Sequence, residues 1–216
     1  MVKDGYKFAV PPLALGLLLC LLGERGMLGA TPRWAWAAGV LIILGLFVLF
    51  FFRDPDRAIP DAPGLVVSPA DGRVMEVVQE AFDARPGRRV SIFLSVFNVH
   101  VNRSPVAGEI REVSYRQGRF YAAMRSRASA ENEQNVIRIA TPAGEMAFKQ
   151  IAGWIARRVL FWKSAGVRVV RGERVGMIRF GSRVDVWLPL EAEILVRPGQ
   201  NVAGGSSVLA RWNNSN

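Results

Sequence analysis

Val175-Gly176-Met177-Ile178-Arg179-Phe180-Gly181-Ser182-Arg183-Val184-Asp185-Val186-Trp187-Leu188 is a run in which apolar residues alternate with small or polar ones. A period near two fits a β-strand, whose successive side chains point to opposite faces, better than a helix. Outward from it, similar short segments occur at 65–67, 72–78, 89–96, 109–115, 135–141, 146–151, 166–171 and 192–196. Pro and Gly turn signals separate them, at Pro86-Gly87, Pro105 to Gly108, Pro142 to Gly144 and Pro198-Gly199. This spacing predicts an antiparallel β-sandwich or barrel-like domain. Soluble helix is expected only at 118–130 and 153–163, so the class is mainly β (α+β). No internal repeat or low-complexity tract is present.

Ahead of this domain the composition changes. Residues 8–22 carry no charge, nor do residues 34–52, and the loop between them holds Glu24, Arg25, Gly26, Gly29 and Pro32. The second run approaches the roughly 20 apolar residues that a spanning helix needs, whereas the first is shorter and contains Pro11 and Pro12. The pair reads as a membrane hairpin or span over 1–52, followed at 53–216 by the β domain. A signal peptide would show one apolar core and a cleavage site, and here a second, longer run follows instead. If both runs cross, or neither does, the N-terminus and the β domain share one side. The domain is basic, which matches the cytoplasmic face of the cell (inner) membrane.

That charge is not borrowed from the anchor. Only Lys3, Lys7, Arg25 and Arg33 and the acids Asp4 and Glu24 precede Arg53. The domain therefore keeps 24 of the 28 Lys and Arg against 16 of the 18 acids, about +8 of the total +10. Nucleic acid and an anionic bilayer surface are the partners such a charge suggests, and the apolar segments favour the bilayer over nucleic acid. Base composition accounts for Arg outnumbering Lys, but not for the excess over acids. The lone Cys20 excludes an intrachain disulfide, and the lone His100 a multi-histidine metal centre.

Three places combine a reactive side chain with turn-forming neighbours: Ser68-Pro69-Ala70-Asp71-Gly72, Asn98-Val99-His100-Val101-Asn102-Arg103 and Arg179-Phe180-Gly181-Ser182-Arg183. A serine hydroxyl needs a base to become a nucleophile, and the base needs an orienting group. Asp71, His100 and Ser182 can fill those roles. Taken singly, Asp71 also suits a turn, His100 a satisfied core histidine and Gly181-Ser182 an ordinary strand.

Read together and in this order, the motifs resemble the phosphatidylserine decarboxylase family in its short bacterial and archaeal branch. The resemblance rests on Phe51-Phe52-Arg53-Asp54-Pro55-Asp56-Arg57, Ser68-Pro69-Ala70-Asp71-Gly72, Val99-His100-Val101-Asn102-Arg103-Ser104-Pro105 and the segment from Gly172 through Ser182. It implies a proenzyme that cuts itself between Gly181 and Ser182 into 1–181 and 182–216. Ser182 then becomes a covalent pyruvoyl group, with His100 as base and Asp71 as its orienting partner. The implied reaction converts phosphatidylserine to phosphatidylethanolamine through a Schiff base to that group, with neither metal nor pyridoxal phosphate.

The chain departs from the widespread family form in three places. Phe180 and Arg183 stand where that form has Leu and Thr around the Gly-Ser pair, and Phe97 where some relatives have a second histidine. Gly204-Gly205-Ser206-Ser207 is a second Gly-Ser site by composition, but its flanks read as a tight turn between short strands. The resemblance also marks Glu131-Asn132-Glu133-Gln134-Asn135 as a polar patch and Gln150-Ile151-Ala152-Gly153 as a strand near the site. Two rival readings are another serine-headed lipid, archaetidylserine, as substrate, and a noncatalytic β module that binds anionic lipid. A homodimer is the default assembly.

Overall fold

The computed structural model describes residues 2–28, 33–154, 158–179 and 181–212. The chain divides into two compact units, Met1–Pro55 and Asp56–Asn216.

The first unit holds two helices, α1 (Lys3–Glu24) and α2 (Arg33–Phe51), both long and apolar enough to cross a bilayer. Pro11 and Pro12 lie inside α1, where they remove backbone hydrogen bonds, an interruption tolerated in helices of this apolar kind. Small residues set the helix contact. A Cβ at Gly16 would meet Ile42 at 2.8 Å and the Ala38 carbonyl at 3.0 Å, and one at Gly45 would strike Leu13. Small residues at these points let the two helix backbones approach closely.

The second unit is mostly antiparallel β. Its strands are β1 (Leu65–Val67), β2 (Gly72–Gln79), β3 (Gly87–Leu94), β4 (Val101–Arg103), β5 (Gly108–Arg116), β6 (Gln134–Thr141) and β7 (Gly144–Ile151). They continue as β8 (Val159–Phe161), β9 (Arg168–Val169), β10 (Arg174–Ile178), β11 (Ser182–Pro189), β12 (Glu193–Ile194), β13 (Asn201–Val202) and β14 (Val208–Arg211). One short helix, α3 (Ser126–Glu131), precedes β6.

A curled eight-stranded sheet runs β13-β2-β3-β11-β7-β6-β5-β9, accompanied by two three-stranded sheets, β4-β10-β8 and β1-β14-β12. Val74, Ile92, Ile137, Phe148, Val184 and Val186 of the large sheet share one core with Val159, Val175 and Ile178 of β8 and β10. Each such buried side chain contributes about 1.5–3 kcal/mol relative to exposure.

The differences from the sequence reading are local. The run 175–188 contributes two strands in two sheets, β10 ending at Ile178 and β11 beginning at Ser182; the sequence alternation does not show the change because a strand period does not report which sheet a residue joins. Within 153–163 the described residues form no helix. Val159-Leu160-Phe161 pairs with β10 as β8, since tertiary pairing overrides a weak helical preference. Of 118–130 only the part in α3 is helical, and 166–171 contributes only β9.

Candidate active site at the start of β11

Ser182 is the first residue of β11 and pairs in register with Leu94 of β3. Side chains alternate along the strand, so Ser182 shares a face with Val184, Val186 and Leu188 of the core, while Arg183, Asp185 and Trp187 take the other. Ser182 is fully buried, and its Oγ has no hydrogen-bond partner among the described residues. A buried hydroxyl left unbonded costs about 1–3 kcal/mol, so this one is held at a cost to stability.

The preceding carbonyl is also confined. A Cβ on Gly153 would run into the carbonyl oxygen of Gly181, and would lie 3.3 Å from the Ala123 methyl. The Gly181 carbonyl thus packs on bare backbone two residues beyond β7. At Gly181 itself a Cβ would meet none of the described residues within 4 Å beyond its chain neighbours.

His100 lies just before β4 and is fully buried. Its Nδ1 is 2.9 Å from the Asn98 carbonyl oxygen. A carbonyl only accepts, so Nδ1 carries the proton and Nε2 the lone pair. The Asn98 side chain in turn accepts from the Ser95 N–H and hydroxyl, both at 2.8 Å, which fixes this turn. The His100 carbonyl accepts from the N–H of Ile178, four residues ahead of Ser182.

Asn102, two residues past His100 and fully buried, continues the polar layer. The Gln150 amide donates to Asn102 Oδ1 at 2.8 Å, and Asn135 donates to Gln150 Oε1 at 3.2 Å. Gln150 stands opposite Val184 in register, on the face that Ser182 shares. Through Gln150, Asn102 of β4 is thus bonded to the face of the large sheet on which Ser182 lies.

Asp71 is placed differently from the expectation that it orients His100. Both its carboxylate oxygens accept from Arg57 Nη2, at 2.9 and 2.8 Å, and Oδ1 also accepts from the Gly204 N–H at 2.7 Å. His100 Nδ1 is held by the Asn98 carbonyl. Asp71 instead fastens its loop to the 203–207 turn, which also receives Ser68: the Ser68 N–H donates to the Ser207 carbonyl and the Gly205 N–H to the Ser68 carbonyl. Gly204-Gly205-Ser206-Ser207 is thus a turn that clasps the Asp71 loop, lying between β13 and β14.

The 131–135 patch is buried rather than solvated. Asn132 donates to the Ala152 carbonyl at 2.7 Å and to Tyr121 at 2.8 Å, holding the 119–123 segment against the strand that leads to Gly153. Sequence reasoning missed the roles of Asn98, Gly153 and Arg57. Asn98 was legible in principle, because a carbonyl two residues from a histidine lies within local reach. Arg57 was not, since its partner is 14 residues away.

On the reverse face of β11, Arg183 is buried and donates to Asp185 at 2.6 Å, Glu76 at 2.9 Å and Ser91 at 2.8 Å. Arg89 bonds Glu76 and Glu80, and Ser129 bonds Asp185. Burial opposes ionisation of Glu76, but the Arg89 hydrogen bond and the charges of Arg89 and Arg183 together outweigh it and hold its carboxyl below the ordinary value. The strand leaving Ser182 is pinned by this network. Among the described residues, no three His, Cys, Asp or Glu side chains gather as a metal ion requires.

The geometry sits within a matching set of relatives. The family model described as phosphatidylserine decarboxylase matches residues 44–210. A phosphatidylserine decarboxylase proenzyme of Solibacter usitatus is 52% identical over 187 residues, covering 84% of this chain and 89% of the relative. Proenzymes of the same name from Symbiobacterium thermophilum and Trichlorobacter lovleyi are 45% and 46% identical over 215 residues, covering 98% of this chain and 95% and 96% of theirs. By family match and by near full-length identity, the chain belongs to the phosphatidylserine decarboxylase family.

Proposed function

We propose that this chain decarboxylates phosphatidylserine to phosphatidylethanolamine, using a pyruvoyl group made from its own Ser182 after self-cleavage between Gly181 and Ser182. The observation that carries the reading is the buried Ser182 hydroxyl, without a hydrogen-bond partner among the described residues, beside a glycine carbonyl packed on Gly153. His100 Nε2 takes the Ser182 hydroxyl proton, which its tautomer equips it to do. Ser182 Oγ attacks the Gly181 carbonyl carbon, the peptide C–N bond breaks, and an ester to Gly181 replaces it with the Ser182 nitrogen now an amine. Loss of the Ser182 α-proton expels Gly181 as a carboxylate and leaves dehydroalanine. Addition of one water and release of ammonia yields the pyruvoyl.

Once formed, that group supplies a ketone for the substrate amine and an adjacent carbonyl that accepts the electrons left by carbon dioxide. His100 returns a proton to the carbon that loses carbon dioxide, since Phe97 has none to give. Asp71 is a positioning residue that acts through its loop. Residues 1–52 anchor the enzyme in the inner membrane, and the basic domain works at the cytoplasmic face, where anionic lipids attract its charge.

Intact-mass measurement of the purified protein tests the reading. Two chains are expected, 1–181 and 182–216, the smaller lighter by one ammonia than a chain that begins in serine. Ser182→Ala should leave one uncut chain without carbon dioxide release, and Ser206→Ala should still cut. A cut in the first variant overturns the assignment. Parallel assays on phosphatidylserine and archaetidylserine vesicles report the lipid class.

A further inference from the structure

Single exposed apolar side chains are ordinary on a protein surface; a group of them at one place is not. Among the described residues of the β unit, eight large apolar side chains are exposed, and three border the Gly181-Ser182 site. Phe97, 65% exposed, precedes the Asn98 that holds His100. Met124, 63% exposed, follows the Ala123 that lies against Gly153, and Trp154, 72% exposed, follows Gly153 itself. Met124 and Asn98 also line one cleft of about 620 Å³, together with Phe93, Ser95 and Arg73. Arg73 in that cleft and Arg125 and Arg127 beyond Met124 are exposed cations.

We propose that Phe97, Met124 and Trp154 form a rim that inserts into the surface of an anionic bilayer, with Arg73, Arg125 and Arg127 against its headgroups. The inference rests on the decarboxylase reading for its purpose: it brings the mouth of the site to the headgroup level, where the serine amine and carboxylate lie. The residue types fit that depth. Tryptophan favours the interface, Phe and Met favour the acyl boundary, and each Arg near an anionic surface adds about 1 kcal/mol of attraction. The β unit as a whole has the complementary sign of charge.

Cys20 is the only cysteine, so Cys20→Ser permits a single environment-sensitive dye at Phe97→Cys, Met124→Cys or Trp154→Cys in the full chain. In phosphatidylcholine vesicles containing phosphatidylglycerol, all three dyes should shift to the blue and be quenched by lipids bearing nitroxide near the headgroup. A dye at Val170→Cys, on the loop after β9 at the far end of the strand order, should stay in water. Serine at all three rim positions should lower turnover of vesicle phosphatidylserine about tenfold relative to a dispersed short-chain analogue. Rim dyes that remain in water, or shielding that needs no lipid and grows with protein concentration, would overturn the proposal. If the parent chain releases no carbon dioxide from either substrate, the decarboxylase reading fails, and the dyes still decide the rim.

Discussion

At position 153 the absence of a side chain is required by the neighbouring strand. A Cβ there would occupy the place of the Gly181 carbonyl oxygen, so Gly153→Ala must displace that carbonyl, the group that Ser182 attacks in the proposed cut. Misplacement near 1 Å at a reacting centre costs about 10²-fold in rate, and self-cleavage should slow by that order in a time course on denaturing gels. Cleavage at the parent rate would mean that the carbonyl is not confined by Gly153. Asp71 makes a different kind of prediction. Asp71→Asn keeps one acceptor oxygen, for the Gly204 N–H, and loses the charge and the second acceptor oxygen facing Arg57, so the chain should cut more slowly but still cut. His100→Ala should not cut at all. Equal severity in the two variants would restore Asp71 as a direct partner of the base. Why the sequence led to Asp71 is clear: carboxylate, imidazole and hydroxyl were all legible as residue types, but the choice of hydrogen-bond partner is tertiary. The Asn98 carbonyl competes for His100 from two residues away, and Arg57 engages Asp71 from fourteen.

Among the elements, β11 was the most legible in type and the least legible in extent. Its alternation predicted a strand, yet the same alternation ran on through 175–178, because β10 meets the same core from another sheet. Weak local preference explains the opposite error at β8, where a segment read as helical is recruited by pairing with Gly176, Met177 and Ile178. What secures β11 after Ser182 is the buried ion network on its reverse face. Among the described residues, Arg183→Met would leave Asp185 in the interior with the more distant Arg89, 3.8 Å away, and Lys149 as counter-charges. Breaking a buried pair from one side costs about 3 kcal/mol, and the denaturation midpoint of the uncut Ser182→Ala chain should fall accordingly when Arg183→Met is added. The network also sets an acid limit. The folded-state pKa of Glu76 lies below its ordinary 4.5, so its contribution is complete above that value and is lost as pH falls through the depressed one. Glu76→Gln should destabilise the chain at neutral pH and reduce the loss of stability between neutral pH and pH 3, measured by denaturant midpoints. An unchanged acid dependence would assign it to other carboxylates.

For the molecule as a whole, the position of the proposed cut matters more than its chemistry, because 182–216 contributes strands that pair with the rest of the β unit. From Ser182 to Pro189, β11 is in register with β3, and from Arg183 to Trp187 with β7, so the smaller product holds a central place in the large sheet. Its β13 pairs with β2 and its β14 with β1, each partner belonging to the larger product. Val184, Val186, Leu188, Leu209 and Ala210 are all buried in the common core. A chain below roughly 40 residues seldom folds alone, so 182–216 has no stable state to leave for. On the proposed cut, a single bond between β10 and β11 would open, and these pairings would hold the new chain end where the serine was. The two products should elute as one peak in detergent without denaturant, and separate on a denaturing gel. Dissociation of the smaller chain under native conditions would show that β11 is not held as its register implies.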